Sequence, residues 1–287
     1  VCGTDRGLWF RETFKDAVLN SLAQEKKDIR VIGHEGFGQI TAVGSRVKEK
    51  FGFATGQMVS AESHLTCGRC FQCHHGELHV CVEEKILGIS QDGIFAEYAK
   101  LPAKIIWPTN PDKIRPEIAC LQEPFGNAVH ACAKTDLKGK SVAIFGCGPI
   151  GLFSVLIARA WGASCIIAVD PNTEKTSLAL ILGADYAFSP NNNSPKTKAW
   201  EKDPELISQI LAKTAGQGVD VAMEMAGYNS SLNNALACAR RGGQVILFGL
   251  KSGDFTIQEF DRVVVRRGLT LHAVIGRYIF NTWYMTK

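Results

Sequence analysis

Four of the ten cysteines in this chain lie within one short stretch, TCGRCFQCHHGELHVC (66–81). Their spacing, C-x2-C-x2-C-x7-C, would let four thiolates meet around one tetrahedral Zn²⁺ ion. Such a site has no open position for a substrate, so its role would be structural. An iron–sulfur cluster and disulfides are the alternatives, but the ferredoxin pattern continues with a shorter gap and a proline. The predicted ligands are Cys67, Cys70, Cys73 and Cys81.

A glycine motif, GCGPIG (146–151), directly follows the apolar run SVAIF and opens a helix-like segment. The next strand-like run ends in Asp170, which is the context of a dinucleotide-binding fingerprint rather than of an ordinary glycine-rich turn. The pyrophosphate would approach the glycines and face the helix N-terminus. Asp170 should accept hydrogen bonds from the adenosine ribose, which favours NAD over NADP, and Lys175 could reach the same ribose. The motif glycines are Gly146, Gly148 and Gly151.

Two further short motifs, VCGTD (1–5) and GHE (33–35), contain residue types that bind zinc. Cys2, His34 and Glu35 would form a mixed ligand set that leaves one coordination position free for catalysis. With NAD nearby, zinc in that position would act as a Lewis acid on an alcohol oxygen and favour hydride transfer. Spacing alone is weak evidence here, because 32 residues separate Cys2 from His34 and a lone histidine is more often structural.

The order of these motifs resembles that of the zinc-dependent medium-chain alcohol dehydrogenases, over essentially the whole chain. Within that superfamily, the stretches LQEPFGNAVH (121–130) and GRYIFNTWY (276–284) are most similar to the L-threonine 3-dehydrogenases. The resemblance implies one catalytic and one structural Zn²⁺, NAD, a homotetramer, and oxidation of L-threonine to 2-amino-3-oxobutanoate. An NAD-dependent polyol or sugar dehydrogenase is the alternative, and a non-catalytic NAD-binding relative is the alternative from another class.

The resemblance also assigns roles to individual positions. Cys2, His34 and Glu35 match the catalytic zinc ligands, and the four clustered cysteines match the structural ones. Glu123 matches an acidic residue beside the catalytic zinc that aids proton relay, or that binds zinc in relatives. Thr4 matches the hydroxyl that passes the substrate proton outward. The positions that match NAD contacts are Ile150, Asp170, Lys175, Phe248, Gly249, Leu250, Val274 and Ile275.

The sequence departs from that family in one stretch. The family usually has a histidine in its proton relay where this chain has Gly7, and some sugar dehydrogenases of the superfamily also lack it. The segment between Asp5 and Gly33 also looks longer than its counterpart. Trp9 and Phe10, which lie in this segment, would either sit in the substrate pocket or pack in the core of an inserted helix.

Composition and charge exclude several other classes of function. The net charge is only +4 and the basic pairs are isolated, so we expect no nucleic-acid partner. The longest apolar runs are too short to span a bilayer, and no signal peptide is visible at the N-terminus. Clustered cysteines indicate metal binding in a reducing compartment, and we therefore expect a cytoplasmic enzyme with a small-molecule alcohol substrate.

Two regions with different patterns position these motifs in an α/β fold. Residues 1–116 predict a GroES-like, mostly β catalytic domain, with strands near 39–44, 57–63 and 95–102 and one helix within 12–28. Residues 117–267 alternate strand-like and helix-like segments, which predicts a Rossmann domain with a doubly wound parallel sheet that binds NAD. Residues 268–287 would begin the return to the catalytic domain. Because the family has β structure before its zinc cysteine, we expect that domain to continue beyond both ends of the sequence.

Overall fold

A six-stranded parallel sheet organises one of the two compact units of the protein, residues 127–276. The computed structural model describes residues 2–190, 198, 200–249 and 253–285. The strand order places the first strand of the unit in the middle, with the next two on one side and the last three on the other, which is the Rossmann order. The strands are β6 Ser141–Phe145, β7 Cys165–Val169, β8 Tyr186–Phe188, β9 Val219–Glu224, β10 Ala239–Leu247 and β11 Thr270–Ala273.

The central strands are buried on both faces, because helices connect them in the manner of parallel sheets. Two helices begin at polar caps: Asn172 accepts hydrogen bonds from backbone N–H groups of the first turn, and Asp203 does the same before Pro204. The predicted strand–helix alternation is confirmed. The connecting helices are α7 Pro149–Ala160, α8 Thr173–Ile181, α9 Pro204–Ala212 and α10 Asn229–Cys238, and a π-helical turn spans Asp261–Val265.

The second unit, called the catalytic unit below, comprises residues 1–126 and 277–287, so the chain leaves it and later returns. Its strands are short: β1 Phe37–Gln39, β2 Met58–Ala61, β3 His64–Leu65, β4 Lys85–Ile86 and β5 Ile106–Pro108. They form one three-stranded antiparallel sheet, in the order β1–β2–β5, and one antiparallel pair, β3–β4. The helices are α1 Gly3–Trp9, α2 Lys15–Glu25, α3 Val47–Phe51, α4 Phe71–His74, α5 Pro116–Ala119 and α11 Asn281–Met285, while α6, Gln122–Cys132, contains the boundary between the units.

The strand predictions for this unit succeed only in part. The helix expected within 12–28 forms, and the run 57–63 contains β2. The run 95–102 is not a strand: Phe95 and Ile94 donate backbone hydrogen bonds to the carbonyls of Ile32 and Gly33, and residues 96–100 are exposed. In the run 39–44, only Gln39 belongs to a strand. The run 95–102 fails as a strand because the backbone groups at its start pair with the loop at residues 32 and 33.

Within the described part of the chain, the helices are all too short or too polar to cross a lipid bilayer.

Candidate active site and metal centres

The side chains of Cys2, His34 and Glu35 meet at the start of α1. Their potential ligand atoms all lie within 4.8 Å of one another, and Cys2 Sγ is 3.0 Å from His34 Nε2. The preceding Gly33 has a φ of +99°, and a Cβ there would lie 2.3 Å from the Phe95 ring, so the turn that presents the histidine requires glycine. One thiolate, one imidazole and one carboxylate at this separation suit a zinc ion with an open position.

Asp5 faces the Nδ1 atom of His34, while Cys2 faces the Nε2 atom of the same ring. The Asp5 carboxylate is 3.2 Å from His34 Nδ1 and also accepts a hydrogen bond from the Cys2 backbone N–H at 2.9 Å. Burial lowers the pKa of His34, but the pairing with Asp5 and Cys2 outweighs it and raises that pKa to about 10. A carboxylate behind a histidine is the usual support of a metal ligand. Our sequence analysis gave Asp5 no role, although CGTD contains it.

Glu123 is buried beside this cluster and belongs to a network of charges. Its Oε1 is 2.6 Å from Arg277 Nη2 and accepts a hydrogen bond of 2.5 Å from Ser63 Oγ. Arg277 is itself held by Glu62, through Nε at 2.8 Å and through Nη2. Glu62 accepts a further hydrogen bond of 3.0 Å from Trp283 Nε1. Arg277 and Glu62 were not predicted from the sequence, because no local motif joins two residues so far apart.

Glu123 lies near enough to His34 and Glu35 for its charge to raise the pKa of each of them. It does not belong to the group of side chains that could bind one metal ion together. The position therefore suits a proton acceptor near the zinc site better than a fourth ligand.

The first turns of α1 contain the remaining relay positions. Thr4 is half-buried, two residues after Cys2. Gly7 is buried, and a Cβ there would lie 2.4 Å from Thr13 Oγ1, so Thr13 occupies the space into which a side chain at position 7 would grow. Trp9 and Phe10 are 74% and 58% exposed, so of their two predicted placements the one in the core of an inserted helix is wrong.

The four clustered cysteines converge on one point, at the loop that contains α4. Their sulfur atoms lie within 4.8 Å of one another, with Cys67–Cys73 at 4.0 Å and Cys70–Cys81 at 3.9 Å. Four thiolates about 2.3 Å from a tetrahedral ion would be separated by roughly 3.8 Å. Hydrogen bonds from backbone N–H groups, chiefly that of Cys73, lower the pKa of the Cys70 thiol to about 6, which favours its thiolate form. All ten cysteines are free, which excludes the disulfide alternative.

The glycine motif of the Rossmann unit has the geometry that its sequence predicts. Gly146 has a φ of +102° at the turn after β6, and a Cβ at Gly151 would lie 1.8 Å from the Gly146 carbonyl oxygen. No atom lies within 4 Å of a Cβ built on Gly148, which caps α7. The first and third glycines therefore allow close packing, and the second leaves room for a phosphate at the helix N-terminus.

Asp170 follows β7, and its carboxylate is turned toward the glycine motif. It accepts hydrogen bonds from the backbone N–H groups of Cys147 at 2.8 Å and Asn172 at 2.9 Å. Each carboxylate oxygen has a second lone pair, so ribose hydroxyls could still bind. Lys175 is exposed in the first turn of α8, and Ile150 is half-buried in the first turn of α7.

The other expected NAD contacts follow strands of the same sheet, although Leu250 lies outside the described residues. Phe248 and Gly249 come directly after β10, and Val274 and Ile275 directly after β11. Glu224, the last residue of β9, also lies at a carboxyl end of this sheet. Burial raises the pKa of its carboxyl, which accepts hydrogen bonds from the backbone N–H groups of residues 226 and 227.

Comparisons with known proteins agree with this geometry. Residues 1–111 match the alcohol dehydrogenase GroES-like domain, and residues 149–285 match the zinc-binding dehydrogenase domain. The chain is 38% identical over 285 residues to the L-threonine 3-dehydrogenase of Pyrococcus horikoshii, covering 99% of this chain and 75% of that protein. It is 37% identical over 283 residues to the Bacillus subtilis L-threonine 3-dehydrogenase, with the same coverage.

A solved structure gives the same result for the fold. Galactitol-1-phosphate dehydrogenase from Escherichia coli superposes with a TM-score of 0.81 at 27% identity, covering 99% of this chain and 77% of that one. Sequence and fold therefore agree over nearly the entire chain. The protein belongs to the zinc-dependent medium-chain alcohol dehydrogenase family.

Proposed function

We propose that this enzyme oxidises the C3 hydroxyl of L-threonine to the ketone, giving 2-amino-3-oxobutanoate, with NAD as the hydride acceptor. The observation that carries the proposal is the convergence of Cys2, His34 and Glu35 in a chain so similar to L-threonine 3-dehydrogenases. A zinc ion held by these three side chains would supply Lewis acidity that lowers the pKa of the substrate hydroxyl.

The surrounding side chains have separate tasks in this proposal. Asp5 orients the ring of His34 through Nδ1, so that Nε2 faces Cys2. Thr4 receives the hydroxyl proton and passes it outward, which a half-buried hydroxyl in the first turn of α1 suits. Glu123, whose Oε1 is held by Ser63 and Arg277, acts with Thr4 in moving this proton away from the site.

The dinucleotide would bind at the carboxyl ends of the parallel strands, with its pyrophosphate at Gly148 and its adenosine ribose at Asp170. A buried carboxylate in that position opposes a 2′-phosphate, which supports NAD over NADP. The remaining contacts proposed are Gly146, Gly151, Ile150, Lys175, Phe248, Gly249, Leu250, Val274 and Ile275. The four-cysteine site would bind a second, structural zinc.

The test is NADH production by the purified enzyme, with L-threonine, sorbitol and D-glucose offered separately. We expect turnover of L-threonine to exceed that of either sugar compound by at least about tenfold, and Cys2→Ser to abolish it while NADH binding persists. Cys120→Ser is the matched control, because Cys120 is a free cysteine outside both metal-binding groups. Full activity of Cys2→Ser would refute the site.

A second candidate is a polyol or sugar dehydrogenase. It is favoured by Gly7, because Thr13 leaves no room for a relay histidine at that position. The similarity to galactitol-1-phosphate dehydrogenase in fold also supports it. Faster turnover of sorbitol or D-glucose than of L-threonine would decide for this candidate.

Two further properties belong to the same proposal. A cytoplasmic location suits ten free cysteines, which are typical of a reducing compartment. We also propose a homo-oligomer, as the family resemblance implies, and light scattering of the purified enzyme would test it.

A further inference from the structure

A basic pocket lies in the Rossmann unit, and none of the residues assigned above lines it. Its volume is about 290 Å³. Four cationic side chains line it against a single carboxylate, and the rest of the lining is apolar or backbone. The lining residues are Lys202, Ala237, Arg241, Glu259, Arg262, Val263 and Arg267.

The pocket lies at the amino ends of the parallel strands, whereas the dinucleotide motif lies at their carboxyl ends. Arg241 is near the beginning of β10, and Arg267 precedes the beginning of β11. The glycine motif instead follows the carboxyl end of β6, and all of these strands run parallel. An anion bound in the basic pocket therefore cannot be the pyrophosphate of NAD bound at the glycine motif.

Glu259, the one carboxylate among the described residues that line the pocket, is already shared. Glu259 Oε2 is 3.1 Å from Lys202 Nζ, and its Oε1 is 3.0 Å from Arg262 Nη1. These two cations lower the pKa of the Glu259 carboxyl, so it is ionised at neutral pH. Glu259 thus offsets one of the four positive charges and leaves the others uncompensated.

Arg241 and Arg267 have only neutral partners. Arg267 donates to the carbonyl oxygens of Leu236 at 3.0 Å, of Ala237 at 3.3 Å and of residue 239, at the end of α10. Arg241 donates from Nη1 to the carbonyl of residue 266 at 3.4 Å. Among the residues that the structure describes, no carboxylate forms an ion pair with either guanidinium.

The two guanidinium groups line the same pocket, so their like charges repel each other. Burial is the main cause that lowers the pKa of Arg267, and the charge of Arg241 lowers it further. Two like charges that line one concave place, with Arg267 half-buried and Arg241 exposed, would gain from a bridging anion. Guanidinium groups bind phosphate oxygens through paired N–H donors, and a phosphate has enough oxygens to contact two guanidinium groups at once.

We propose that the basic pocket binds the phosphate group of a small molecule, with Arg241 and Arg267 as its principal contacts. The pocket constitutes a second anion site, independent of the NAD site and of the zinc centres. Lys202 and Arg262 remain paired with Glu259 and add a positive field at the rim.

The experiment is a calorimetric titration of the enzyme with inorganic phosphate and, separately, with pyrophosphate. Saturating NAD is present throughout, so that the glycine motif is blocked. We expect a saturable site for at least one of these probes, with affinity that decreases as salt increases. No saturable binding of either probe up to 10 mM, roughly the limit for a functional site of this charge, would overturn the proposal.

Variants distinguish a built site from general surface charge. Arg241→Gln should weaken binding about tenfold, because it removes one charge-assisted contact. Arg266→Gln is the matched control: it removes the same charge from a neighbouring position, but Arg266 pairs with Asp261 and does not line the pocket. An equal loss in both variants would overturn the proposal. Arg241 is exposed, so its substitution should leave the unfolding temperature unchanged.

Discussion

Glu62 offers the sharpest test of how the catalytic unit is held together. Its side chain is fully buried and accepts hydrogen bonds from Arg277 Nε, from Trp283 Nε1 and from the backbone N–H of His64. Removing one partner of a buried ion pair typically costs about 3–5 kcal/mol of unfolding free energy. In Glu62→Gln one oxygen can still accept, and Arg277 still faces Glu123. We therefore expect a loss at the lower end, about 3 kcal/mol.

The assay is urea unfolding followed by tryptophan fluorescence. The rings of Trp107 and Trp283 lie 5.4 Å apart in this unit, so they report on its packing. Glu83→Gln is the control, because Glu83 forms an ion pair with Arg69 in which both side chains are about half exposed or more. Its cost should be below about 1 kcal/mol. A loss in Glu62→Gln no larger than in the control would refute the reasoning.

A double-mutant cycle separates the ion pair from the packing. Arg277→Met alone leaves Glu62 and Glu123 buried without their cation, and it should destabilise more than Glu62→Gln. The double variant, Glu62→Gln with Arg277→Met, should cost less than the sum of the single losses, because neither member of the pair remains to be compensated. Additive losses would show that the two side chains contribute independently.

Three further predictions concern other parts of the chain. Gly148→Ala should weaken NADH binding and leave stability unchanged. Gly151→Ala should lower both NADH affinity and stability, because a Cβ at position 151, unlike one at 148, would collide with the backbone of Gly146. A fluorescence titration measures the NADH affinity of the two variants, and a thermal melt measures their stability. Cys73→Ser should lower the zinc content, measured by atomic absorption, from two ions per chain to one. Burial raises the pKa of Asp220, but the hydrogen bond that it accepts from Arg240 and its other partners outweigh burial and lower the pKa. The stability that the Asp220 carboxylate contributes is therefore fully present above the pKa of the unfolded state, and it is lost as the pH falls through the pKa of the folded state. The stability difference between native enzyme and Asp220→Asn should therefore shrink in urea titrations below about pH 4.

The Rossmann unit could be predicted well because its information is local. Runs such as SVAIF (141–145) and CIIAV (165–169) are buried on both faces, so hydrophobicity alone identifies them as strands. The glycine motif likewise depends on contacts between residues within a few positions of one another, as between Gly146 and Gly151. Local patterns of this kind need no knowledge of the rest of the chain.

The catalytic unit was harder to predict because its important contacts are distant in sequence. Arg277 and Glu62 are 215 positions apart, and neither belongs to a periodic pattern. The ligand candidates of the catalytic zinc depended on the family resemblance, since nothing local shows that Cys2 meets His34. The role of Asp5 behind that histidine, and of Thr13 beside Gly7, follows only from the folded backbone.

The return of the chain to its first unit has a consequence for biosynthesis. Residues 127–276 form a continuous insertion within the catalytic unit, and Arg277 and Trp283 follow it. A ribosome must therefore translate the whole insertion before the cation that Glu62 and Glu123 share becomes available. Until then the nascent catalytic unit holds two carboxylates, both destined for burial, without their counter-charge. The Rossmann unit can thus fold during synthesis, while the active site is completed only after the residues that follow position 276 have been translated.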